Sequence, residues 1–174
     1  METTPQEQPG RIEQILKTAV RPVDILSFYV MVGCMTVMAI VVCAQVILRY
    51  FFSYSIDWAD EVARLMFVWS MFLAIPHGVK LGSHVGIDAL SRFLSEKYRS
   101  LLARLIQLLC AILCIVVVYM GIFVAGEKWD ELMPTIDITA SMYYIPVIFA
   151  MLHSCIHFLI FVICGSGPEI WKRN

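Results

Sequence analysis

Apolar residues along this chain gather into four long runs, at residues 25–48, 62–79, 101–125 and 142–164, separated by short polar stretches. A helix that crosses a bilayer needs about 20 mostly apolar residues at about 1.5 Å each. All four runs meet that need, although the second is the shortest and carries Arg64, Pro76 and His77. The pattern predicts an all-α integral membrane protein with four transmembrane helices occupying residues 22–165.

The polar flanks carry their own pattern. Residues 1–10 hold Pro5, Pro9 and Gly10 and read as a flexible tail. Over 11–21, Ile12, Ile15, Leu16, Ala19 and Val20 follow helical spacing, with Arg11, Lys17 and Arg21 opposite. That predicts an amphipathic interfacial helix, which Pro22 ends or turns into the first span. A second interfacial helix is expected over about 87–99, and residues 166–174 form a polar tail. The opening residues lack the short apolar core and small-residue cleavage site of a signal peptide.

Composition strengthens the class. Hydrophobic residues make up 60% of the 174, charged ones 16%, and the mean hydropathy is +0.78. A soluble domain is roughly half apolar and about a quarter charged, and little chain remains here for an extramembrane catalytic domain. The net charge of −1 is uninformative, but its distribution is not. Most of the 13 Lys and Arg lie in the N-terminal segment, between spans two and three, or in the tail; Arg49, Arg64 and Lys128 are the exceptions. By the positive-inside rule both termini are cytoplasmic. The two outward loops are then acidic, holding Asp57, Asp60, Glu61, Glu127, Asp130, Glu131 and Asp137.

Candidate chemistry is sparse. Cys34, Cys43, Cys110, Cys114, Cys155 and Cys164 all fall inside spans, whereas disulfide chemistry would want thiols in the outer loops, so they read as packing residues. His153 and His157 stand four apart on one face of the fourth span. A bis-His haem needs an opposing ligand, and His77 is level in the membrane only with His157. Interhelical hydrogen bonding is the stronger reading of these imidazoles. No run carries a central carboxylate for coupling ions, and no broken pair of spans marks a midplane substrate site. The chain therefore does not read as a complete transporter, and no catalytic, cofactor-binding or metal-ligating residue is assigned.

What remains is structural. Asp60 and Glu61 precede Arg64 by one helical turn, and Arg49 ends the first span, which predicts an acid–Arg clamp at the outer interface. At the other end of span two, Lys80 leads into Gly82, His84, Gly86 and Asp88, where glycines permit a sharp turn that His84 and Asp88 tie down. Trp58, Trp129, Trp171, Tyr50, Tyr54, Tyr143 and Tyr144 form an interfacial aromatic belt, with Trp69 alone inside a span. Pro134 turns the loop before the fourth span, which Asp137, Thr139 or Ser141 caps.

Taken in order, these residues resemble the small membrane subunit (Q component, DctQ-like) of tripartite ATP-independent periplasmic (TRAP) transporters. The likeness rests on Gln45-Val46-Ile47-Leu48-Arg49-Tyr50, on Trp58 with Asp60-Glu61, and on Phe67-Val68-Trp69. It continues in Lys80-x-Gly82-x-His84-Val85-x-Ile87-Asp88, in Pro134 and in Tyr144-Ile145-Pro146. Ala74-Ile75-Pro76 departs from it by setting a proline where a glycine–alanine pair is expected. The resemblance implies a non-catalytic subunit of the bacterial inner membrane without cofactor. Its partners would be the large TRAP membrane subunit, a periplasmic solute-binding protein and membrane lipids, with no nucleic acid. Together they would take up an organic acid by sodium symport. The alternative class is a small b-type cytochrome or quinone-linked protein using His77, His84, His153 and His157.

Overall fold

The computed structural model describes residues 11–81 and 96–164. Four long helices carry the chain: α1 (Arg11–Phe52), α2 (Ala59–Leu81), α3 (Glu96–Glu127) and α4 (Ile145–Cys164), with a 3-10 turn at Ala140–Tyr143 before α4. Each contains a stretch long and apolar enough to cross a membrane. The expected turn at Gly82, His84 and Asp88, and the interfacial helix over 87–99 up to residue 95, lie outside the described residues. From Glu96 onward the chain is already helical and continuous with α3.

Two prolines sit inside helices without ending them. Pro22 deletes one backbone bond from α1, yet the helix runs on, so residues 11–21 are its first turns and not a separate element. At 42 residues α1 is about 63 Å long, roughly twice the hydrocarbon core, so part of it must lie beyond the apolar layer. Pro76 sits fully buried within α2. Helix α2 is also matched to its own dipole: Asp60 and Glu61 lie in the first turn and Lys80 in the last.

The helices pack in the order α1, α2, α4, α3, and α1 reaches α4 at only a few points. Half of the apolar stretch of α4 is buried, against 6% of that of α1. Helix α4 is the centre, and α1 and α3 are the outer members, with Ile40, Leu113 and Phe123 exposed to the surrounding apolar phase. The core is small: Val79 from α2, Ala111 and Cys114 from α3, and Cys155, Phe158 and Phe161 from α4. Cys110 packs against this cluster beside Cys114, and Cys34, Cys43, Cys110, Cys114 and Cys155 are free thiols.

Connections at one end are short. Residues 53–58 link α1 to α2, with Ser53 at a positive φ of 50°. The α3–α4 loop folds back on itself: Met133 N–H donates to the Ile138 carbonyl at 2.9 Å and Ala140 N–H to the Glu131 carbonyl at 2.8 Å. Pro134 lies in the turn so formed. The expected cap is absent, since Thr139 precedes the 3-10 turn without a side-chain bond. Ser141 instead donates to the Ala125 carbonyl at 2.5 Å, tying the start of α4 to the end of α3.

Close approach of α3 and α4 depends on Gly121. A Cβ there would stand 2.9 Å from Ile148 Cγ1, whereas Gly33 and Gly78 face open space. Gly121→Val should therefore force the two helices apart at a cost of about 1–3 kcal/mol. Thermal unfolding of the detergent-solubilised chain should show a lowered midpoint, while Gly33→Ala leaves it unchanged or raises it, since alanine is the better helix former.

Candidate functional site

Polar side chains concentrate at two places in the bundle. The first is the end that carries the loops. Glu61 is buried in the first turn of α2, where the helix dipole already favours an anion. Its Oε2 accepts from the Thr135 backbone N–H at 2.8 Å and from the Thr135 hydroxyl. Asp60, one position earlier, is exposed and accepts from Gln45 Nε2 of α1 at 3.0 Å. Lower down, the Trp69 indole N–H donates to the Met142 carbonyl at 3.0 Å. Helix α2 is thus bonded at this end to both α1 and the approach to α4.

This corrects the expected acid–Arg clamp. Among the described residues no ion pair joins Glu61 or Asp60 to Arg49 or Arg64, and both arginines are exposed. Glu61 is turned inward, under the α3–α4 loop, so a neutral threonine meets the carboxylate. In that loop Lys128 pairs with Glu131 at 2.6 Å, and the carboxylate beside it raises the lysine pKa.

The second place lies toward the opposite end of α2 and centres on Asp24. This residue stands just ahead of the first apolar run, yet it is part of α1 and only 6% exposed. Asp24 Oδ1 accepts from His153 Nε2 at 2.8 Å and from His157 Nε2 at 3.0 Å. Its Oδ2 meets Lys80 Nζ at 2.7 Å. One turn along α1, Ser27 donates to the Asp24 carbonyl and receives His77 Nε2, both at 3.0 Å. One carboxylate thereby joins α1, α2 and α4, and isolated charges in such a setting persist only when paired.

His77 meets His153, with ring centroids 6.5 Å apart, and not His157 as its depth in the sequence implied. The reason is the Trp69–Met142 bond, which starts α4 level with a point well down α2. His77 follows about two turns further along α2 and His153 about three turns further along the α4 side. Among the described histidines each imidazole places Nε2 against a protein partner.

Other sequence candidates fall into place around these two centres. Trp58 is exposed, and its carbonyl accepts the Val62 N–H that opens α2. Tyr144 is half-buried and closes the 3-10 turn; Pro146 is buried in the first turn of α4, where no N–H is required. Lys80 belongs to the Asp24 centre and Trp69 to the loop end. Asp24 itself escaped the sequence reading. Its signal was Asp24 and Ser27 on one helix face, matched by three histidines and a lysine on other helices.

The family pattern described as tripartite ATP-independent periplasmic transporters, DctQ component, matches residues 38–166. The chain belongs to that family. A C4-dicarboxylate TRAP transporter small permease protein of Vibrio cholerae is 30% identical over 114 residues, 62% of this chain and 49% of that one. A putative TRAP transporter small permease protein of Haemophilus influenzae is 24% identical over 138 residues, 79% of each. The sialic acid TRAP transporter permease protein SiaT of H. influenzae is 32% identical over 82 residues, 47% of this chain but 13% of SiaT. The chain spans about half the length of the V. cholerae relative. Membership in the DctQ family and four apolar helices make it a multi-pass protein of the bacterial inner membrane and a transporter component, not an enzyme. Lys80, the three histidines and Glu61 lie inside the stretch matched to the DctQ pattern, and Asp24 precedes it.

Two substitutions test the loop-end geometry. Thr135→Val removes the hydroxyl from the buried Glu61 carboxylate and should lower stability by about 1–3 kcal/mol. Arg49→Ala and Arg64→Ala should each shift the thermal midpoint of the isolated chain little, because among the described residues neither arginine pairs with Asp60 or Glu61. A large loss from Arg49→Ala with none from Thr135→Val would restore the clamp.

Proposed function

We propose that this chain is the small, non-catalytic subunit that braces the large substrate-translocating subunit of a TRAP transporter. The complex takes up an organic acid by sodium symport, the acid being handed over by a periplasmic solute-binding protein. The observation that carries this reading is where the polar groups go. Asp24, Lys80, Glu61, Trp69 and the three histidines are bonded within the chain, while the outer faces of α1 and α3 are apolar and unpartnered. A subunit built this way has rigid internal ties and large lipid-depth surfaces for a membrane neighbour. The relatives support it, since a stretch similar to this chain occurs within the longer permease protein SiaT.

Orientation follows from charge. The end with Asp24 and Lys80 lies next to the basic segments and faces the cytoplasm, with both termini; the loops around Glu61 and Thr135 face the periplasm. Residues 11–21, continuous with α1, carry that helix beyond the apolar layer toward the cytoplasmic lipid headgroups. The acidic outer loops lie on the side from which the solute-binding protein approaches. The relatives' names mention C4-dicarboxylate and sialic acid, both organic acids, and no residue of this chain chooses between them.

Reconstitution tests the assignment. In liposomes under an inward sodium gradient, the chain alone should accumulate no organic acid, whereas co-reconstitution with its large subunit and solute-binding protein should give uptake. Sodium-driven uptake by the chain alone would overturn it.

A further inference from the structure

We propose that Asp24 Oδ1 and the Nε2 atoms of His153 and His157 form a binding site for one divalent transition-metal ion of the zinc class, which cross-links α1 to α4. The three donor atoms all lie within 4.8 Å of one another, and all three residues are buried. Ligand atoms bound to a common ion at about 2.0–2.1 Å stand about 3.0–3.4 Å apart. The carboxylate oxygen is 2.8 and 3.0 Å from the two nitrogens, within a few tenths of an ångström of that spacing, and the two nitrogens lie within 4.8 Å of each other.

Chemistry narrows the ion. Two imidazoles and one carboxylate suit zinc, cobalt and their neighbours, whereas magnesium and calcium want oxygen throughout. Histidines at i and i+4 present their nitrogens from one helix face, the spacing by which helical zinc sites take two ligands. Binding also requires each Nε2 to offer a lone pair, with the ring proton on Nδ1. In the metal-free chain Asp24 accepts from both Nε2–H groups, so binding moves each ring proton to Nδ1, which in His153 is buried and holds no other partner.

Lys80 is the built-in competitor. Its ammonium neutralises the same carboxylate through Oδ2, and its charge opposes a second cation nearby. Its side chain is 49% exposed at the end of α2, so it is free to turn outward when an ion arrives. The bond gained would matter because α1 and α4 otherwise meet at few points.

The test uses the detergent-purified full chain, stripped with chelator and titrated with zinc or cobalt chloride by calorimetry and visible absorption. One ion should bind per chain, with cobalt giving the d–d bands of a low-coordinate N/O site. Asp24→Asn and His157→Gln, each checked for retained helicity and elution volume, should weaken zinc binding by about 100-fold or more, beyond the 10–100-fold of a lost outer partner. Lys80→Gln should strengthen it by about tenfold, since it removes the competing charge. No saturable binding, zinc held undiminished by Asp24→Asn, or unchanged or weaker binding in Lys80→Gln would each overturn the site.

Discussion

A polar group inside a bilayer has no water to fall back on, so its partners must come from the protein. Asp24 is where that constraint acts most strongly on this chain. Its carboxylate is closed off by two imidazoles and one ammonium drawn from two other helices. Several local features follow from it. His153 and His157 must share a face, Lys80 must end α2 at the level of Asp24, and α1 must remain helical through Pro22 to present the residue at all. A hydrogen bond to a charged group is worth about 1.5–3 kcal/mol, but the cost of leaving such a group buried and unpaired is larger. The cluster therefore acts more as a condition on which arrangements are allowed than as a source of net stability.

The loop end solves the same problem differently. Glu61 gains from the α2 dipole and is covered by a folded-back loop whose Thr135 supplies two donors. Trp69 then sets the depth of α4 by bonding the Met142 carbonyl. These two contacts explain why the fourth span starts well inside the level of the second, and so why His153, and not His157, meets His77. The ends of the bundle are coupled through helix register. A bond near the loops bears on which imidazole of α4 faces His77.

Hydropathy made the four spans legible, because about 20 apolar residues have few alternative fates. Packing order was not legible, since every run is apolar enough to face lipid on any side. Asp24 was missed for a related reason: a boundary drawn where the apolar run begins, at residue 25, leaves the carboxylate one position outside. The clamp failed because sequence spacing reveals neighbours along one helix only. Asp60, Glu61 and Arg64 are near in sequence, but the partner of Glu61 lies 74 positions away in a loop. The histidines, by contrast, were placed correctly as interhelical hydrogen-bonding groups, with their carboxylate partner unseen.

The division between inward and outward chemistry bears on the proposed role. A transporter must expose polar groups to a moving substrate at some point in its cycle, and such sites are drawn from less stable, rearranging elements. Here the buried carboxylates are each held by two or more donors from distant parts of the chain, and the core of α4 packs against both α2 and α3. Releasing any one tie would leave a charge unpaired in an apolar setting, so the bundle favours a single arrangement. The outward faces of α1 and α3 carry no such ties and are free to match whatever apolar surface lies beside them. Rigidity inside and an uncommitted apolar surface outside are the physical requirements of a brace, and they come from the same small set of polar residues being spent within the chain.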